Sequence, residues 1–258
     1  MARRLLDLST SLRAGIASDP PSMLPEIDYV AHDAGARELI ALFPGLRAEQ
    51  LPDGKGAALE RVRITTHNGT HLDAPWHFHP TMDGGKRAIT IDEVPLEWCF
   101  SDGVKLDFRD KADGYVCTAA DVRRELDRIQ YRLKPLDIVL INTAAGQAYG
   151  TDRFIDSGCG MGREATLFLL EQGVRLTGTD GWSWDAPFSY TRDRFARTGD
   201  ASIIWEGHKA GREIGYCHLE KLANLDQLPP FGFQVVCFPV KIEKASAGWT
   251  SCVAVLEG

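Results

Sequence analysis

Thirteen consecutive residues, His67-Asn68-Gly69-Thr70-His71-Leu72-Asp73-Ala74-Pro75-Trp76-His77-Phe78-His79, hold four of the seven histidines of this 258-residue chain, with a carboxylate among them. Imidazole nitrogen and carboxylate oxygen are the donors that Zn²⁺ and Mn²⁺ accept, and burying so many titratable groups together without an ion is costly. The fold must therefore bring this stretch to one polar site and support it from around.

A spacing of four between His67 and His71 matches a helix turn, but Asn68-Gly69-Thr70 is turn-forming, which puts the ligands at a strand end and its loop. His71 and Asp73 then share one face of an extended segment. His67, His71 and Asp73 are the expected ligands, and three protein ligands leave a position open for water or substrate. Pro75 suits a helix start or a rigid bend after the ligands, and His77 follows on the same rim. An imidazole there, with an ordinary pKa of about 6.5, can move a proton without binding the ion. The alternative is a group of ordinary hydrogen-bonded loop and core histidines. His79 reads as structural.

A net charge of −7, without long acidic or basic runs, gives no footprint for nucleic acid or an anionic membrane, so the expected partner is a small molecule. No stretch approaches eighteen apolar residues, and Asp7 ends the run after Arg3-Arg4 too early for a signal peptide, so a cytoplasmic protein is expected. The six cysteines lack C-x-x-C spacing and read as buried thiols, with Cys159 in its Gly-rich loop as a lesser candidate nucleophile.

Expected strands are Arg4 to Ser9, Arg61 to Thr66 delivering the histidine motif, Val104 to Asp107, Asp137 to Thr143, Val174 to Gly178, Phe233 to Ile242 and Thr250 to Leu256. Expected helices are Asp33 to Phe43, Ala119 to Tyr131 behind a Thr118/Asp121 cap, and Arg163 to Gln172. Gly158 to Gly162 lacks both a P-loop lysine and the full dinucleotide pattern and reads as a loop into a helix. This periodicity supports a mixed α/β domain with more strands than helices. Strand ends rich in polar and aromatic residues are where α/β sheets place sites, so Asp180 and Trp182 after the Val174 strand are candidates for substrate contact. Trp182, Trp184 and Phe188, with Trp76 and Phe78, either wall a pocket for a flat substrate or pack the core. His218 is expected outside the site.

The pattern His67-x-Gly69-Thr70-His71-x-Asp73-Ala74-Pro75-x-His77-Phe78 resembles the signature of the cyclase family of metal-dependent hydrolases, which includes bacterial kynurenine formamidases and isatin hydrolases. Asp7-Leu8-Ser9 resembles the family's opening. Gly178-x-Asp180-x-x-Ser183-x-Asp185 resembles a segment near its active site. Glu220-Lys221-Leu222-Ala223-Asn224-Leu225 resembles its Glu-Asn-Leu segment, with Lys221 where Asn is usual. The resemblance implies an α/β chain of the swivelling β/β/α, cyclase-like fold, assembled as a homodimer or homotetramer; length and composition make a single domain over residues 1–258 the expectation. It implies metal binding by His67, His71 and Asp73 and acid/base catalysis by His77. In kynurenine formamidases the residues matching His208 and Glu220 hold a second metal, bridged by the match to Asp73. In isatin hydrolases Gln replaces that Glu, one Mn²⁺ is bound, and the match to His208 helps catalysis. The Glu here favours a site for two ions, Mn²⁺ or Zn²⁺.

The expected function is metal-dependent hydrolysis of an amide-type carbon–nitrogen bond, in an N-formyl amide or a ring lactam such as isatin. The alternatives are a ring-closing or lyase reaction using the same ion, and a non-catalytic metal- or ligand-binding protein on this fold.

Overall fold

The computed structural model describes residues 3–257. Nine strands form its main sheet: β1 (Arg3–Asp7), β2 (His71–Asp73), β3 (Phe100–Asp107), β4 (Ile138–Asn142), β5 (Leu176–Thr179), β6 (Cys217–Glu220), β7 (Phe233–Val236), β8 (Ala247–Trp249) and β9 (Val253–Glu257). Their order is β1-β9-β7-β3-β4-β5-β6-β2-β8. The four central strands β3 to β6 run parallel, and the flanking pairs are antiparallel.

Parallel neighbours need long crossovers. α3 (Ala119–Arg128) links β3 to β4, α4 (Arg163–Glu171) links β4 to β5, and α5 (Phe188–Thr198) and α6 (Glu206–Lys209) lie between β5 and β6. Two further helices are α1 (His32–Leu42) and α2 (Pro75–Phe78). The helices cover one face of the sheet: Val139 and Ile141 pack with Val122, Leu126 and Leu169. On the other face Ile138 and Leu140 pack with Leu72, Leu176 and Leu219. A strand covered on both sides must be apolar at every position, which is why Ile138-Val139-Leu140-Ile141 is a continuous run rather than an alternating one.

The Thr118 cap is present as expected. Its hydroxyl accepts from Asp121 N at 3.2 Å while Asp121 Oδ2 accepts from Thr118 N at 2.9 Å, an arrangement worth about 1 kcal/mol to a helix. Two expectations change, and one helix was not expected. Leu59–Arg63 is a strand, but it pairs with Glu26–Val30 in a separate two-stranded ribbon, and the histidine motif is delivered by β2 instead. The strand from Phe233 stops at Val236, ahead of Pro239, which has no N–H for a ladder. Helix α5 escapes a reading by apolar periodicity because Ser189-Tyr190-Thr191-Arg192-Asp193-Arg194 is mostly polar.

Candidate metal centre and cavity

Two short strands build the centre. β2 reads His71-Leu72-Asp73 and β6 reads His218-Leu219-Glu220 over its last three residues, and they pair antiparallel with His71 opposite Glu220, Leu72 opposite Leu219 and Asp73 opposite His218. Side chains alternate along a strand. Both leucines enter the core, and the four polar side chains meet on the opposite face.

His67 reaches this face from the preceding turn, its Nδ1 2.9 Å from Asp73 Oδ1. His71 Nε2 lies 3.4 Å from the same oxygen and 3.5 Å from Glu220 Oε2. Its Nδ1 is 2.9 Å from the Gly69 carbonyl, which can only accept, so Nδ1 carries the hydrogen and Nε2 the lone pair. The other oxygen of Asp73 lies 3.1 Å from His218 Nε2 and 3.8 Å from His77 Nε2. His208 Nε2 is 3.8 Å from Glu220 Oε1, which also accepts from Trp184 N at 3.0 Å.

His208 comes from α6, a helix seated tightly on the site. A side chain at Gly207 would place its Cβ 2.4 Å from the Met161 carbonyl, so only glycine fits there. Asp185 accepts from Gly207 N at 2.8 Å, from His208 N at 3.1 Å, and from His208 Nδ1, which leaves Nε2 free to face Glu220.

The ligand atoms of Asp73, His208, His218 and Glu220 all lie within 4.8 Å of one another, and so do those of His67, Asp73 and His77. Asp73 belongs to both groups. His71 Nε2, His218 Nε2 and both oxygens of Asp73 are buried without a hydrogen-bond partner. Buried polar atoms are nearly always satisfied, and here the four unsatisfied ones converge, with lone pairs fixed on His71 Nε2 and on the carboxylate. The donor set therefore fits one or more divalent ions.

The cluster's electrostatics also call for positive charge. Burial raises the cost of ionising Asp73, but the surrounding imidazoles hold its carboxyl well below the usual range. Burial acts likewise on Glu220 and is outweighed by His218, leaving it at about 2. His218 is raised to about 9, since Asp73 and Glu220 overcome the burial that disfavours its charge. His77 goes the other way: burial lowers it to about 4, so it is neutral at pH 7 and able to accept a proton.

A cavity of about 240 Å³ opens on the centre, with His67, His77, His208 and Glu220 at its base and Trp182, Phe188, Trp205 and Met23 among its walls. Trp205 lies flat on His208, ring centres 4.7 Å apart and 10° from parallel, and edge-on to His77 at 5.2 Å. Asp19 and Lys221 close one side. They form a buried ion pair, and Lys221 Nζ also donates to the His67 carbonyl at 2.7 Å. Trp182 Nε1 donates to Asp19 at 3.2 Å, so the same carboxylate fixes a cavity wall.

The structure brings His67, His71, Asp73, His77, His208 and Glu220 together. It corrects the placement of His218, which is in the centre of the cluster. Of the residues offered for substrate contact, Trp182 lines the cavity; Trp76, Phe78, Asp180 and Trp184 do not. Trp76 is 41% exposed, outside the cavity. Phe78 and Trp184 are buried and sandwich His218, and Trp184 Nε1 donates to Thr166 at 3.0 Å. Asp180 is buried against Asn142 and Thr143 and borders a different cavity. Cys159 is buried, and contact with Cys117 together with burial pushes its thiol well above the ordinary range, unlike an activated nucleophile. His79 is held by Thr81, a structural role as expected.

The sequence reading missed Asp19, Trp205 and His218. Asp19 and Trp205 carry no local signal. His218-Leu219-Glu220 does, because it repeats the polar-Leu-acid pattern of His71-Leu72-Asp73.

Residues 6–186 match the family described as "Putative cyclase". The chain is 26% identical over 260 residues to a kynurenine formamidase of Erythrobacter litoralis, covering 98% of this chain and 94% of that protein. Among solved structures, an isatin hydrolase bound to the product analogue thioisatinate has a TM-score of 0.75 at 18% identity, covering 99% of this chain and 93% of that one. Isatin hydrolase A from Ralstonia solanacearum has a TM-score of 0.74 at 22% identity, covering 99% and 92%. The two structures share the fold, the family match spans well over half of the sequence, and the chain belongs to the cyclase family.

Proposed function

We propose that this protein is a metal-dependent hydrolase that cleaves an amide-type carbon–nitrogen bond, in an N-formyl amide or a cyclic amide such as isatin. The observation that carries this reading is the set of buried, unsatisfied donor atoms on His71, Asp73 and His218 at the foot of an aromatic-walled cavity. The kinship with kynurenine formamidase supports the bond type. His67, His71 and Asp73 would hold one ion, and His208 and Glu220, with Asp73 between, a second; Mn²⁺ and Zn²⁺ both suit the donors. We place the whole chain in one domain, acting in the cytoplasm as a homodimer or homotetramer.

A divalent ion bound here supplies Lewis acidity toward a carbonyl oxygen and acidifies water. His77 does the proton work. It is neutral at pH 7, it stands on the cavity floor, and its Nε2 faces Asp73 Oδ2, so it can take the proton released as water adds to the carbonyl carbon. Returning that proton to the leaving nitrogen as the C–N bond breaks gives an amine and a carboxylic acid. Trp182, Phe188 and Trp205 give the cavity flat apolar walls that favour a flat substrate.

The test is metal content per chain on protein purified without chelator, together with turnover of N-formyl aromatic amides, isatin and lactams in H₂¹⁸O. Hydrolysis places solvent ¹⁸O in the acid product. Metal-free protein that gains no activity with Mn²⁺ or Zn²⁺ would reject the reading.

A further inference from the structure

His218 has no place in the ligand set that the family resemblance implies, yet every contact around it is that of a held ligand. Its ring is fully buried between Phe78, at 4.9 Å and 17° from parallel, and Trp184, at 5.8 Å and 18°. Tyr216 donates its hydroxyl hydrogen to the Gly207 carbonyl at 3.0 Å. The Tyr216 oxygen, 3.3 Å from His218 Nδ1, is therefore left as an acceptor, which puts a ring hydrogen on Nδ1 and leaves Nε2 as the nitrogen an ion would bind in place of a proton. That nitrogen lies 3.1 Å from Asp73 Oδ2 and 3.2 Å from Glu220 Oε1. It has no partner meeting hydrogen-bond geometry. Donors bound to one ion at 2.0–2.1 Å stand about 3.0–3.4 Å apart, so these separations are those of neighbours in a coordination shell.

We propose that His218 is a ligand of a second divalent ion, completing a four-donor set with Asp73, His208 and Glu220. The proposal rests on the metal-dependent reading above and goes beyond it by giving the two ions unequal sites. Two imidazoles and two carboxylates neutralise a dication and close a tetrahedral shell, the arrangement of a tightly held Zn²⁺. The ion at His67, His71 and the other oxygen of Asp73 would have fewer protein donors, which leaves positions open to substrate and water. The His218 site should fill first and resist chelation longest.

The test uses full-length apo-protein titrated with Zn²⁺ in competition with a chelating indicator, with stoichiometry from native mass spectrometry and folding from circular dichroism. Wild type is expected to bind two ions per chain with clearly separated affinities. His218→Gln is expected to lose the tighter one and keep the other. Tyr216→Phe, which removes the acceptor that fixes the His218 tautomer, is expected to keep both ions and weaken the tighter one by about 10–100-fold. Replacement by Co²⁺ should give the intense visible bands of a tetrahedral centre in wild type and lose them in His218→Gln. Two ions bound with unchanged affinities in His218→Gln would overturn the proposal. If that variant does not fold, unchanged affinities in Tyr216→Phe would do the same. Wild type that binds one ion and still hydrolyses amides also overturns it while leaving the proposed function standing; binding of no ion at all removes both.

Discussion

Asp185 holds His208 by backbone and ring together, accepting from its N–H at 3.1 Å and from its Nδ1. The imidazole can then turn neither about its χ angles nor into the other tautomer, and Nε2 stays directed at Glu220, 3.8 Å away. Such partners of metal-binding histidines set ligand basicity as well as orientation.

Asp185→Asn keeps the size of the side chain and an acceptor for Gly207 N, but where Oδ2 stood it offers an NH₂ to His208 N and to the ring. The expected result is a folded protein whose affinity for the ion on the His208 side falls about 10–100-fold, with the His67 and His71 side unaffected. Metal titration of apo-protein reads this directly. Equal affinities in variant and wild type would show that His208 is not a ligand.

His77 divides two roles that the geometry brings close together, since its Nε2 stands with His67 and Asp73 in a set able to hold an ion. As the proton carrier, His77→Ala should lose about 10²–10⁴-fold in kcat and keep its metal. As a ligand, it should lose metal in step with activity. Metal content measured on the same sample as kcat separates the two.

The site was legible in the sequence as far as its chemistry was local. Thirteen residues carry His67, His71, Asp73 and His77, and the strand-then-helix reading of that stretch is what the structure has in β2 and α2. Three of the four central parallel strands, β3 to β5, were legible too, whereas β6, which reads Cys217-His218-Leu219-Glu220, lacks the apolar run of a strand buried on both faces and was not read. What stayed hidden is what the fold assembles from a distance. Asp19 and Lys221 are 202 positions apart, and nothing near either announces the other. Trp184 and Trp182 are two residues apart and look alike in sequence, but one is buried beside His218 and the other lines the cavity. Strand alternation would put residues two apart on one face, and it does not apply here because residues 180–186 are a run of bends after the strand ends at Thr179.

The Asp19–Lys221 pair fastens the irregular segment around Pro20 and Pro21 to the loop that carries His67. Both side chains are buried, so removing one leaves an uncompensated charge. Asp19→Ala is expected to lower the unfolding free energy by about 3–5 kcal/mol, whereas Asp19→Leu with Lys221→Met should cost less than the sum of the two single changes. Urea unfolding of the four proteins of the cycle measures the coupling. Additive costs would show that the two charges do not depend on each other.

Asp180 gives the fold a pH dependence away from the metal cluster. Burial pushes its carboxyl up to about 7, although Thr143 and Asn142 donate to it and favour the ionised form. An unfolded aspartate titrates near 3.8. Between these values the folded chain holds a proton that the unfolded chain has released, so the unfolding free energy falls as pH rises through this window, by at most about 1.4 kcal/mol per pH unit. The contribution is fully present below the unfolded value and is lost as pH climbs past about 7. Asp180→Asn cannot titrate, so the difference in stability between variant and wild type should move steadily in the variant's favour from pH 5 to pH 8. The measurement is urea unfolding of metal-free protein at each pH. A difference that stays constant over that range would mean that the carboxylate is ionised throughout, held so by the Thr143 and Asn142 hydrogen bonds against its burial.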